Sequence, residues 1–66
     1  MNKDLLKYHI AKNGDTVETL AAFLGLHVTT LYKKIRGETD FSRKQVAKIT
    51  ERYNLSDALV VEIFLH

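Results

Sequence analysis

The residues of this 66-residue chain whose types and spacing suit chemistry on a partner gather in one stretch. Residues 33–52 hold seven basic side chains, Lys33, Lys34, Arg36, Arg43, Lys44, Lys48 and Arg52, against the acids Glu38, Asp40 and Glu51. Directly before them stand the hydroxyls of Thr29, Thr30 and Tyr32. Cations beside hydroxyls are groups that bind phosphate and hydrogen-bond polar edges. The rest of the chain is not basic: residues 1–32 balance Lys3, Lys7 and Lys12 with Asp4, Asp15 and Glu18, and the tail adds Asp57 and Glu62. The formal net charge of +2 therefore hides a local excess of four. Such a run is either a solvated face or the footprint of an anionic partner, and its place directly behind a pair of helices favours the partner.

Other chemistries find no support. No cysteine is present, which excludes disulfides and thiolate metal sites. His9, His27 and His66 are scattered without ligand spacing, so no metal is expected. No Ser-His-Asp arrangement or phosphate-cradling glycine loop stands out. A chain this small, without a candidate pocket or cofactor motif, is not expected to be an enzyme. No apolar run approaches the length of a membrane span. The start, MNKDLLKYHIAKNGD, carries charges within its apolar stretch and is no signal peptide. The expectation is a cytoplasmic protein.

At 45% hydrophobic and 27% charged residues the chain is globular rather than disordered. Its length suits one domain over residues 1–66. The pattern predicts an all-α fold of five short helices. The first runs from Asn2 or Lys3 to Lys12, with Leu6 and Ile10 on one face and Asn13-Gly14 as its stop. The second starts at Thr16, or at Asp15 if Asp15 and Glu18 form the capping box. In it Val17, Leu20, Ala21 and Leu24 make one buried stripe that ends at Gly25. The third spans Val28 to Arg36, with Leu31 and Ile35 inward and Gly37 after it. Phe41 is an apolar plug, and Ser42 with Gln45 opens a fourth helix through Val46, Ile49 and Tyr53 to Asn54. Ser56 opens the last, DALVVEIFL, with Leu59, Ile63 and Phe64 inward and Val60, Val61 and Leu65 widening its apolar surface. Phe23, off the stripe of its helix, is either a lid or part of an exposed patch.

The join between the second and third helices is the most telling feature. A small Ala21, a turn glycine at Gly25 and buried Leu26 and Leu31 are the offsets of a helix-turn-helix, here about residues 16–37. The stretch LAAFLGLHVTTLYKKIRGETDFS resembles the Cro/repressor-like (XRE-type) proteins, short phage-type regulators with a lambda-repressor-like five-helix fold. Leu24, Gly25, Leu26, Thr30, Leu31, Tyr32, Lys33, Lys34, Ile35, Gly37, Phe41 and Ser42 carry the resemblance. It implies that the helix 28–36 lies in the major groove of double-stranded DNA, about 12 Å wide, with its first residues at the base edges. Val28, Thr29, Lys33 and Tyr32 then hold base-reading positions. Thr16, His27, Lys34, Arg36, Arg43 and Lys44 are candidates for phosphate.

Some roles stay open. Tyr32 is a contact or a cover for the core edge. Val28 meets a thymine methyl or packs between helices. His27, where the family favours Ser or Thr, caps the helix with a neutral imidazole or touches DNA. The resemblance implies a sequence-specific transcriptional regulator in a bacterial host cell, nucleoid-associated, with an operator as partner. Two copies would pair through the last helix or on DNA. A rival reading keeps the fold as a scaffold, an antirepressor-like module binding another regulator. A third is an architectural protein that bends DNA, against which the lack of a basic arm argues.

Overall fold

The computed structural model describes residues 1–65 and holds five α-helices and no strand among them. These are α1 (Lys3–Lys12), α2 (Val17–Leu24), α3 (Val28–Ile35), α4 (Arg43–Tyr53) and α5 (Asp57–Phe64). The third and fifth helices each stop one residue short of expectation, with Arg36 and Leu65 as C-caps. His66, one of the three histidines, lies outside the described residues.

Every helix opens on a side chain that accepts a free backbone N–H. Asn2, Thr16, His27, Ser42 and Ser56 each cap one of the donors that the first turn cannot satisfy internally. The box at Ser42 and Gln45 is the expected one. At α2 the partner of Thr16 is Thr19 rather than a glutamate: Thr19 N–H donates to Thr16 Oγ1 and Thr16 N–H to Thr19 Oγ1. Asp15 stands outside this box because another set of donors takes it.

Four helices end in one device. The N–H of the residue after a left-handed residue reaches back five positions, as in Leu26 to the Ala21 carbonyl at 2.9 Å and Glu38 to Lys33 at 2.9 Å. Asp15 to Ile10 and Leu55 to Thr50 repeat it, the last over Asn54 at φ 50°. At Gly25, φ is +70°, and an added Cβ would meet nothing within 4 Å. The need for glycine there is thus conformational strain alone. That turn brings α3 back across α2 after only three residues.

The core joins all five helices. Leu6, Leu20, Leu31, Ile35, Ile49 and Ile63 are its largest fully buried side chains. Ala21 is also buried, which lets α3 approach α2 closely. Val17, Phe41, Leu59 and Phe64 pack on the core while half-buried. α5 lies against α1 and α4, and the Asn2 N–H donates to the Ile63 carbonyl at 2.8 Å. Leu55 and Tyr53 are core residues at the α4–α5 corner.

Candidate nucleic-acid interface

Leu31 and Ile35 fix how α3 is turned. With both buried, the opposite face must carry Thr29, Tyr32, Lys33 and Arg36, spaced i, i+3, i+4 and i+7. All four are exposed, Tyr32 at 38%. This is the most sharply two-sided of the helices. Val28 is half-buried and packs on the core, which is the packing alternative for that residue. His27 Nδ1 accepts the Thr29 N–H at 3.2 Å. That nitrogen does for the first turn of α3 what a Ser or Thr hydroxyl does at the starts of α2, α4 and α5.

The cations divide into free and engaged. Lys33 and Lys44 are exposed and make no ion pair or hydrogen bond among the described residues. Lys34 turns away from the stripe: its Nζ donates to the Asp40 carbonyl at 2.8 Å and lies 6.0 Å from the centroid of Phe41. Arg36 Nε donates to Glu38, an exposed pair that water and salt weaken. Arg43 lines a trough with Phe41, Val46, Ala47, Val60, Phe64 and Leu65. Thr16 is exposed, but its hydroxyl is occupied by the Thr19 N–H, and Glu18 follows in the same turn.

Helix ends sharpen the charge pattern. α1, α2 and α5 carry Asp4, Glu18 and Asp57 in their first turns, where the free N–H groups and the helix dipole favour an acid. α3 and α4 carry none. In α4 the first two residues are Arg43 and Lys44, cations where a cation costs stability. The starts of α3 and α4 are therefore the helix N-termini that no first-turn acid neutralises.

A polar cluster lies apart from these groups, built from residues too far apart in the chain for any local pattern to reveal it. The Asp15 side chain, 8% exposed, accepts from Arg52 Nε at 2.7 Å, Arg52 Nη2 at 2.9 Å, Tyr53 Oη at 2.7 Å and Thr19 Oγ1 at 2.8 Å. The Arg52 guanidinium lies 4.3 Å from the Phe23 ring centroid, with Lys48 Nζ at 5.9 Å. Phe23 is thus roofed by two cations while still 40% exposed. Arg52 holds the Asp15 carboxyl well below the usual carboxylate range, helped by Tyr53 and Thr19. Burial, and then the bond to Asp15, push the Tyr53 phenol above its ordinary value.

A pH dependence follows. A carboxyl with a lowered folded pKa stabilises the fold fully above its unfolded value, about 3.9, and loses that contribution as pH falls toward the folded value. Urea melts should show stability falling from about pH 4.5 downward. Asp15→Asn should flatten that fall and cost about 1–2 kcal/mol at pH 7, where Arg52 and Tyr53 would face a weaker acceptor. An equally steep acid fall in the variant would assign it to other carboxylates.

Among the described residues no helix is long and apolar enough to cross a membrane, and no group of three His, Asp or Glu side chains is placed to hold a metal. No curated protein and no solved structure matches the chain. Residues 1–63 match the family described as the BetR domain, and the chain belongs to that family.

Proposed function

We propose that the protein is a sequence-specific double-stranded DNA-binding regulator, a non-catalytic helix-turn-helix protein of the Cro/repressor-like kind, reading the major groove with α3. One observation carries the reading: Thr29, Tyr32 and Lys33 form an exposed stripe on a helix whose other face is locked into the core. A helix offered this way, with no acid in its first turn, fits a groove lined by acceptors and flanked by phosphates. Thr29 offers a hydroxyl and a methyl to base edges. Lys33 reaches guanine acceptors or phosphate, and Lys44 at the start of α4 takes phosphate. Arg36 joins them when phosphate displaces Glu38. Lys34, held by the Asp40 carbonyl, serves the fold first. A single such helix reads one half-site, so two copies bound about one helical turn apart are part of the proposal. They would pair through α5, where Val61 is 54% and Leu65 76% exposed, or on DNA. The host compartment is then the bacterial cytoplasm, at the nucleoid.

Unbiased selection of bound duplexes from a random pool tests this. A palindromic consensus is expected, with binding that weakens steeply as salt rises. Thr29→Ala and Lys33→Ala should each lower affinity for the selected site about five- to thirtyfold, with helicity unchanged. No enrichment, or variants that bind as tightly as the parent, would sink the proposal.

The apolar trough beside Phe41, Phe64 and Leu65 favours a second reading, a module that binds another regulator. Absence of any DNA shift at low salt, with a regulator captured on that trough, would decide for it.

A further inference from the structure

Asp15 stands just before α2 and Arg52 and Tyr53 close α4, so their contact joins segments 37 and 38 positions apart. The joint is directional. Arg52 engages both carboxylate oxygens through two N–H groups, a planar fork that fixes angle as well as distance. Tyr53 and Thr19 complete the carboxylate's acceptor sites, and Thr19 links them to the cap of α2 through the Thr16 N–H at 2.8 Å. The same guanidinium lies on Phe23 in the last turn of α2. One side chain of α4 thus touches the residue that leads into α2 and the last turn of α2, and α2 carries α3 across the Gly25 turn.

Apolar packing alone would leave this arrangement softer. Contacts among Leu, Ile and Ala side chains gain by the area they bury and have no preferred direction of their own. Ion pairs of this kind are weak evidence for stability, since apolar replacements often do as well. A fixed geometry is what the fork adds. We infer that the clasp of Asp15, Arg52 and Tyr53 positions the exposed stripe of α3 against the first turn of α4, and so sets sequence discrimination rather than general attraction to DNA. The inference rests on the DNA-binding reading above. Base-edge hydrogen bonds need placement within about 0.5 Å, whereas a lysine reaches phosphate over a wider range.

The variants Arg52→Lys and Tyr53→Phe test it, because both keep the net charge. Lysine keeps the cation but loses the fork, and phenylalanine keeps the ring but loses one bond. Affinity is measured for the selected duplex and for a scrambled duplex of equal length, with circular dichroism fixing the folded fraction. The ratio of the two affinities should fall about three- to tenfold in each variant, with scrambled-DNA affinity and salt slope unchanged. Partial unfolding would lower both affinities by one factor and leave the ratio alone. An unchanged ratio in both variants overturns the positioning role while the DNA-binding reading stands. A parent protein that binds both duplexes equally overturns sequence-specific reading, and the inference with it.

Discussion

Lys44→Glu is expected to make the free protein more stable and the DNA complex weaker. Lys44 is the second residue of α4, whose first turn has no acid and two cations. Replacing it removes an unfavourable charge from the positive end of the helix dipole and supplies a favourable one, worth about 0.3–1 kcal/mol. It also turns a like-charge i, i+4 neighbour, Lys48, into an opposite-charge one in the better orientation. For a domain of this size the melting temperature should rise by about 2–6 °C. Binding moves the other way. One phosphate contact contributes a factor that scales as salt to about the −0.9 power, roughly tenfold near 0.1 M. Reversing the charge should cost at least that and reduce the salt slope by about one. The proposed contact with phosphate would account for a cation placed where the helix start disfavours it. A variant that melts lower, or binds DNA as before, would remove Lys44 from the interface.

How far the sequence shows these features depends on the range of the forces involved. Helix starts and stops are local, and the Ser42–Gln45 box and the Gly25, Gly37 and Asn54 ends follow from nearest neighbours. The burial of Leu31 and Ile35 follows from helical spacing, and with it the identity of the exposed stripe. The clasp is another matter. Nothing near Asp15 announces Arg52, and the Asp15–Glu18 pattern points to a capping box instead. The carboxylate is held instead by the convergent donors of a guanidinium and a phenol, and Thr16 caps the helix with Thr19 as its partner. Two signals were available at short range. Glu38 stands two residues after Arg36 and pairs with it. Leu55 follows a left-handed Asn54, where such helix ends bring an apolar residue inward.

Leu31→Ala should separate what holds α3 in place from what its exposed face is proposed to do. Leu31 is fully buried in the core that also holds Leu20, Ala21 and Ile35, on a helix packed against α2. Truncating such a leucine costs about 3–5 kcal/mol, because the transfer loss adds to a cavity that a short turn cannot close. A domain of this length has about 3–10 kcal/mol in total. The variant should therefore be largely unfolded, or nearly so, at 37 °C by circular dichroism. Leu31→Met, close in volume, should lose less than about 1.5 kcal/mol. Thr29→Ala, two residues away on the exposed side, should lose no stability at all, since alanine is the better helix former and the cap from His27 goes to a backbone N–H. Selected DNA at a hundred times its dissociation constant adds about 2.7 kcal/mol to a folded state that binds it. Such DNA should restore helicity to Leu31→Ala, whereas Thr29→Ala, folded without it and binding about five- to thirtyfold more weakly, should gain only about 0.9–1.8 kcal/mol. No recovery of Leu31→Ala, together with a gain in Thr29→Ala equal to the parent's, would mean that α3 is held by the core yet is not the element that DNA selects.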